Sequence, residues 1–159
     1  MATSYSLAHL GLTVSSIDTT ADWYNKHLGF TKPVRKFPYS TPWIGTMVGH
    51  EGTDFTLGFL SLGDLVIELH QYTYPAGNSA VPPDTTFVGA AHIAVKVDDV
   101  HELYERMLAN GVDFISPPSE VTEGLFKGFV GAYCRDPDGY IIEINQAPET
   151  EPDLSEMTR

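Results

Sequence analysis

The stretch GYIIEINQ at residues 139–146 matches an earlier stretch, DLVIELHQ, at residues 64–71. A second pair repeats in the same order, because AHLGLTV at residues 8–14 returns as AHIAVKV at residues 91–97. These stretches are typical of strands, yet each carries a polar residue where a buried strand should have none. A repeat of this kind predicts two similar modules with the same order of elements.

The first half of the chain predicts a strand, a helix and then three strands. The first strand covers residues 5–15, and the helix runs from Thr19 to Leu28 and ends at Gly29. A cap for this helix can come from Ser15, Ser16 or Asp18. From Phe30 onward the chain is expected to be extended, with interruptions at Pro33, Pro38 and Pro42, before strands at 55–62 and 65–72.

The second half predicts the same order of elements. A strand at 91–98 precedes a helix from Val100 to Asn110, with Asp98 or Asp99 as its cap and Gly111 at its end. An extended piece at 112–115 and strands at about 127–135 and 140–146 follow. The fold class is therefore α+β, with two βαβββ modules.

The modules and their connections have clear limits in the sequence. The first module is expected at 5–72 and the second at 91–147. Residues 73–90 are rich in proline and glycine, which is typical of a linker. Residues 148–159 are acidic, and we expect them to form a surface tail.

Charge and composition exclude several classes of partner. The chain of 159 residues has 21 acidic and 9 basic side chains, and its net charge is −12. Such a surface repels nucleic acid and anionic lipid, so we expect neither nucleic acid nor membrane partners. The single Cys134, the absence of a run of roughly 20 apolar residues and the lack of a secretory signal predict a cytoplasmic protein with a buried, inert thiol.

The polar residues in the repeated strands are His9, Glu68, His92 and Glu143. Alternation places each histidine on the strand face that also carries a small residue, Gly11 or Ala94, so a hollow is expected there. A buried, unpaired carboxylate is costly, and two of them at repeated positions need a common compensation. Singly, each residue is more often an ordinary surface or core residue, but their joint recurrence favours a shared divalent cation.

The other histidines differ in what they predict. His27, His50 and His101 have no repeated partner, and we expect them at the surface. His70 shares the strand face of Glu68. It fits a supporting role beside the metal and a solvated sheet edge equally well.

These residues carry a resemblance to a known family. The paired modules with His, Glu, His and Glu resemble the vicinal oxygen chelate superfamily, which includes glyoxalase I, methylmalonyl-CoA epimerase and extradiol dioxygenases. DPDGYIIE at 136–143 resembles the family's last turn and strand, and Trp23-Tyr24 followed by Leu28-Gly29-Phe30 resembles its first helix. The resemblance covers about residues 5–147.

The resemblance implies a cupped, mixed eight-stranded sheet around one metal site, and a homodimer. His9, Glu68, His92 and Glu143 would be the metal ligands, and Mn, Fe, Co, Ni or Zn suits such a set. A small-molecule substrate would chelate the metal through adjacent oxygen groups. Glu143, or else Glu68, would be the catalytic base for proton transfer next to a carbonyl. The modules can pair within one chain or between two.

The ligand set also bears on the choice among reactions. Dioxygenases of the family use two histidines and one carboxylate, so the fourth ligand Glu68 favours an isomerase, epimerase or glyoxalase-type lyase. An Fe(II) ring-cleaving dioxygenase and a metal-free antibiotic-binding protein remain alternatives. In bacterial glutathione-dependent glyoxalase I, an arginine lies in the first strand and Asn-Trp-Gly follows the first glutamate. Here Thr13 stands at the arginine position, and LHQYTYP at residues 69–75 follows Glu68 without that motif. The sequence after Glu68 looks more like the epimerase branch of the family. That branch has a catalytic glutamate that does not bind the metal, and Glu51 is a candidate for this residue.

Overall fold

A computed structural model describes residues 3–32, 35–77, 84–150 and Pro152. The chain forms two compact units, Met1–Val81 and Pro82–Arg159. The first unit holds the first module and the second unit holds the second module. Parts of the predicted linker, 78–83, and most of the predicted tail, 151 and 153–159, lie outside the described residues.

The first module is a four-stranded mixed sheet with two helices. Its elements are β1 (Leu10–Thr13), α1 (Ile17–Leu28), β2 (Phe37–Tyr39), α2 (Pro42–Val48), β3 (Asp54–Leu62) and β4 (Leu65–Tyr74). The strand order is β1-β4-β3-β2, in which β1 pairs with β4 in parallel and the other pairs are antiparallel. β1 is shorter than the predicted strand, because ladder pairing with β4 covers only these four residues.

The second module repeats this arrangement. Its elements are β5 (His92–Lys96), α3 (Val100–Ala109), β6 (Asp113–Phe114), β7 (Ser119–Glu120), β8 (Val130–Arg135) and β9 (Ile141–Gln146). The strand order is β5-β9-β8-β6, with β7 also paired to β8. The α+β class and the two βαβββ modules are therefore confirmed, with the short β7 as an addition.

The helix caps select among the predicted candidates. Ser16 caps α1, because its hydroxyl accepts from Thr19 N–H at 3.3 Å. Gly29 ends that helix with a φ of 74°, a left-handed conformation that favours glycine. Asp99 caps α3, because its carboxylate accepts from Glu102 N–H at 2.9 Å.

In each module, one glutamine on the last strand provides a second cap for the start of the long helix. Ile17 N–H, at the start of α1, donates to Gln71 Oε1 at 2.9 Å. Val100 N–H, at the start of α3, donates to Gln146 Oε1 at 3.1 Å. The first amides of a helix have no partner within the helix, so these bonds tie helix and sheet together at equivalent places.

The core of each module lies between the sheet and its helix. In the first module Leu12, Val14, Ile67 and Leu69 are buried, and in the second module Ile93, Val95, Ile142 and Ile144 are buried. Alternation sends the intervening residues to the opposite face, as the sequence predicted. The histidines and glutamates of the repeat are on that opposite face.

Two predictions about the first module are wrong. The stretch after Pro38 is not wholly extended, because α2 begins at Pro42, where the fixed φ of proline suits the first turn of a helix. His27 is buried rather than at the surface, with 6% of its area exposed. It follows Thr20 and Tyr24 at helical spacing, so it falls on the packed stripe of α1 and lies beside the Trp23 ring.

The structure confirms the predicted exposure of two histidines and the predicted burial of the cysteine. His50 and His101 are exposed, and Cys134 is a buried free thiol whose pKa is raised to about 12 by burial. Within the part of the chain that the structure describes, no helix has the length and apolar character needed to cross a membrane.

Candidate metal-binding site

Glu68 of the first module is held between two imidazoles. Its Oε2 lies 3.2 Å from Nε2 of His9 and accepts a hydrogen bond of 2.7 Å from Nε2 of His70. The Glu68 side chain is 14% exposed, whereas that of His9 is 43% exposed. The carboxylate is therefore largely covered while one imidazole next to it remains open to solvent.

The local sequence explains how these residues meet. Glu68 and His70 are two positions apart on β4, so their side chains share a face. Gly11 on β1 is the direct neighbour of Glu68 in the ladder. A Cβ built at Gly11 would lie 3.9 Å from His70 Nε2, which is ordinary van der Waals contact, so the imidazole lies directly beside this position.

The second module builds the same pair from the equivalent strands. His92 Nε2 lies 3.1 Å from Glu143 Oε2, and their side chains are 47% and 20% exposed. Tyr133, directly opposite Glu143 on β8, donates its hydroxyl to the same oxygen at 3.0 Å. Asn145 donates from Nδ2 to Glu143 Oε1 at 3.2 Å. Both oxygens of this carboxylate therefore accept hydrogen bonds from side chains.

Tyr133 is perturbed by this position. Burial raises the pKa of its phenol, and the hydrogen bond to Glu143 and the negative charge of Glu143 raise it further. The hydroxyl therefore stays protonated and donating at neutral pH.

The two ligand atoms of each module fit two neighbouring coordination positions of a divalent metal ion. Two ligands that bind one ion at right angles and at about 2.1 Å lie about 3.0 Å apart. The His–Glu separations of 3.2 and 3.1 Å are close to this value. Among residues 3–32, 35–77, 84–150 and 152, no group of three or more His, Cys, Asp or Glu side chains could hold a metal ion by itself. Each module thus offers one nitrogen and one oxygen donor.

The structure brings the predicted residues together in pairs, His9 with Glu68 and His92 with Glu143. Sequence reasoning missed Tyr133 and Asn145. Asn145 was within reach of that reasoning, because it stands at the repeat position of His70. Tyr133 gave no signal, since its place opposite Glu143 depends on the strand register.

Glu51, the candidate further carboxylate, lies in the turn between α2 and β3 and is exposed. Its position follows the end of α2 at Val48. It lines a cavity together with residues of α2 and of the turn that follows this helix, among them Gly45 and Gly52.

The sheet face that carries Glu68 is rich in aromatic side chains. Phe59 is its direct neighbour on β3 and is 37% exposed, and Phe55 stacks on the His70 ring at 5.4 Å. Phe37 on β2 packs edge-on against Phe59, and the Arg35 guanidinium lies 5.1 Å from the Phe37 ring. Besides its two imidazoles, Glu68 therefore has the apolar ring of Phe59 as its cross-strand neighbour, whereas Glu143 has the polar Tyr133 in that place.

Comparison with known proteins assigns the family. Residues 6–144 match the model of the glyoxalase/bleomycin resistance protein/dioxygenase superfamily. The chain belongs to this superfamily. This match confirms the family resemblance seen in the sequence.

Two relatives illustrate how far the likeness extends. The chain is 31% identical to a lactoylglutathione lyase of Neisseria meningitidis serogroup B, over 96% of this chain and 98% of that protein. It is 30% identical to lactoylglutathione lyase GLX1 of Arabidopsis thaliana, over 95% of this chain. The chain spans 48%, about half, of that plant protein. These names belong to lyases and give the epimerase branch no specific support.

Solved structures extend the same likeness to the fold. A glyoxalase family protein from Bacillus cereus superposes with a TM-score of 0.77 at 16% identity, covering 92% of this chain and 98% of that one. Glyoxalase I from Zea mays gives 0.63 at 27% identity, covering 91% and 46%. The trypanothione-dependent glyoxalase I of Leishmania major gives 0.59 at 26% identity, covering 98% and 91%.

Proposed function

We propose that this chain is a metal-dependent, glyoxalase-type enzyme that transfers a proton at a carbon next to a carbonyl group. His9, Glu68, His92 and Glu143 would bind one divalent cation, which is Mn, Fe, Co, Ni or Zn. The observation that carries this proposal is the recurrence of one His–Glu pair, at 3.2 Å in one module and 3.1 Å in the other. An accidental surface contact has no reason to recur at equivalent ladder positions.

When bound, the cation would act as a Lewis acid for two neighbouring substrate oxygens. The protein's own residues would move the proton. By analogy with the family, Glu143 is the first candidate for the base and Glu68 the second. Each of them lies beside the histidine with which it would hold the cation. Tyr133 and Asn145 would keep the carboxylate of Glu143 in a fixed orientation.

The relatives named lactoylglutathione lyase support the lyase form of this reaction. Its substrate would be the thiol adduct of a 2-oxoaldehyde. A proton would leave the carbon that bears sulfur and a hydroxyl group, and a proton would be added at the adjacent carbonyl carbon. The hydroxyl proton would pass to the former carbonyl oxygen, so that the carbonyl group ends on the carbon that bears sulfur. The product would be a 2-hydroxyacyl thioester with the same atoms as the substrate.

The thiol itself need not be glutathione. Thr13 stands where the bacterial glutathione-dependent enzymes have an arginine, and residues 69–75 after Glu68 lack their Asn-Trp-Gly motif. The likeness to an enzyme named as trypanothione-dependent supports a role for another thiol. The rings around Glu68, with Phe59 the exposed one, further support an apolar substituent on the carbonyl compound.

The decisive experiment joins metal content with proton exchange. The chain would be purified with each of the five metals in turn, and metal per site would be counted by mass spectrometry. Oxoaldehyde–thiol adducts would then be incubated in deuterated water. We expect bound metal, thioester formation and loss of both with Glu68→Ala. Full metal content and full activity in Glu68→Ala would refute the four-ligand proposal.

The alternatives have their own outcomes in the same experiment. Oxygen uptake with catechols and Fe(II), lost in His92→Ala, would indicate a ring-cleaving dioxygenase. A chain that binds none of the metals would indicate a metal-free binding protein. Comparing methylglyoxal with phenylglyoxal adducts tests the apolar substituent, and Phe59→Ala should lower the aryl rate more than the alkyl rate.

The proposed homodimer is tested by mixing two inactive variants. His9→Ala and Glu143→Ala change different modules of the chain. If each metal site combines modules from two chains, the mixed dimer regains one intact site and part of the activity. If each site lies within one chain, the mixture stays inactive. Light scattering on the separate variants would control for the oligomeric state.

A further inference from the structure

We propose that His70 is a positioning residue that orients the carboxylate of Glu68 toward the metal. This inference rests on the proposed function and adds a residue that neither the ligand set nor the catalytic base includes. Its starting point is the shortest contact of the site, the hydrogen bond of 2.7 Å from His70 Nε2 to Glu68 Oε2. His70 uses the nitrogen that faces the carboxylate as a donor.

The ring of His70 is itself fixed in place. It stacks on Phe55 with an angle of 7° between the rings and 5.4 Å between their centroids. Phe55 is 1% exposed and therefore belongs to the packed part of the module. Tyr72 lies two residues after His70 on the same face of β4, and the centroids of the two rings are 6.3 Å apart. A donor held this rigidly fixes the direction of the oxygen that accepts from it.

The second module supplies an independent argument from the repeat. Asn145 stands two residues after Glu143, as His70 stands two residues after Glu68, and it also donates to its glutamate. The side chains differ in chemistry, size and charge, yet both place a hydrogen-bond donor on the carboxylate. Donation is the property that the two positions share. A role for His70 as a fifth metal ligand would have no counterpart in the second module.

The contacts also separate the roles of the two imidazoles of the first module. His9 and His70 both approach Oε2 of Glu68, at 3.2 Å and 2.7 Å. His9 has the wider separation, close to that of two ligands on one ion, and the more exposed side chain, 43% against 22%. His70 has a hydrogen-bond distance and is more covered. His9 is thus placed as a ligand, and His70 as the donor behind it.

The test compares three forms of the full-length chain, namely the wild type, His70→Leu and His70→Asn. His70→Asn copies the arrangement of Asn145 and keeps a donor, whereas His70→Leu removes it. Co²⁺ would be titrated into each metal-free protein, because its visible spectrum reports both affinity and ligand geometry. We expect His70→Leu to weaken Co²⁺ binding by about tenfold to a hundredfold, the usual effect of losing such a partner. His70→Asn should restore most of this loss with a wild-type spectrum.

Each other outcome overturns a defined part of the argument. Wild-type affinity in His70→Leu would show that His70 does not position Glu68, while the proposed function would stand. Equal loss in both variants, with an altered spectrum, would make His70 a ligand and overturn the positioning role. A wild-type chain that does not bind Co²⁺ or any of the five metals would overturn the proposed function together with this inference. Thermal unfolding of each variant would verify that the fold is intact.

Discussion

Tyr133→Phe removes a single hydroxyl from the second half of the proposed metal site. The ring would stay in place on β8, but Glu143 Oε2 would lose the hydrogen bond of 3.0 Å. Hydrogen bonds to charged groups contribute about 1.5–3 kcal/mol. This bond is longer than the roughly 2.5–2.7 Å typical of a hydroxyl on a carboxylate, and the site is partly open. The lower end, about 1.5 kcal/mol, is therefore appropriate for this bond. Loss of a side chain that supports a metal ligand weakens metal binding by about tenfold to a hundredfold, and the lower figure fits so weak a bond.

The assay is a Co²⁺ titration of the metal-free wild type and variant at neutral pH. Tyr74→Phe is the matched control, because Tyr74 is 58% exposed and stands at the end of β4. We expect about a tenfold rise in the dissociation constant for Tyr133→Phe and none for the control. An unchanged constant for Tyr133→Phe would refute the reasoning that the hydroxyl supports Glu143. An equal rise in both variants would refute the assignment of the effect to this one contact.

Three further predictions concern the pKa values and the helix caps. Glu143→Gln should lower the pKa of Tyr133 toward its ordinary value of 10.0 without reaching it, because burial, the main cause of the raised pKa, remains. Ultraviolet titration of the phenol measures this shift, and an unchanged pKa would contradict the prediction. Burial, with the charges of Asp136 and Asp113, raises the pKa of Cys134 from 9.0 to about 12. The thiol therefore stabilises the fold below pH 9 and loses this contribution as pH rises toward 12, by up to about 1.4 kcal/mol per unit. Urea unfolding from neutral to alkaline pH should show a shallower decline in Cys134→Ala, and parallel declines would contradict this. Gln146→Leu should lower the free energy of unfolding by about 1 kcal/mol, because the buried Val100 N–H loses its acceptor, and Gln71→Leu should act alike; an unchanged urea midpoint would refute the capping role.

Most of the fold was predictable because it follows from local signals that occur twice. Alternation along β1 and β5 identified the buried faces, and serine or aspartate before a helix with glycine after it marked the two long helices, although Asn110 rather than Gly111 caps the end of α3. α2 was not predictable in this way. It has seven residues, and Pro42 at its start reads as a break in an extended stretch rather than as the first residue of a helix.

His27 shows a different limit. Its polarity suggested the surface, but its spacing from Tyr24 and Thr20 places it on the packed side of α1. Position on the helix outweighed side-chain type, because a histidine ring can pack against the ring of Trp23.

In the candidate site, too, the residues marked by local sequence were predictable and those placed by long-range strand pairing were not. The His–Glu pairs were predictable, since each member stands in a repeated stretch. The donors that hold the glutamates were not, because they depend on which residues face each other across strands. Tyr133 lies opposite Glu143, whereas Phe59 lies opposite Glu68, and only the register reveals this difference.

The differences between the modules say more about function than their likeness does. Both keep a histidine beside a glutamate, but Glu143 accepts hydrogen bonds from Tyr133 and Asn145 on two oxygens, and Glu68 accepts one from His70 on one oxygen. A pair of equivalent ligands would need only one set of supporting side chains, repeated. Because the supports differ, the two carboxylates have different freedom to turn, and their cross-strand neighbours differ as well, with Tyr133 opposite Glu143 and Phe59 opposite Glu68. Such an unequal pair suits a reaction in which one carboxylate mainly holds the metal and the other also handles the proton.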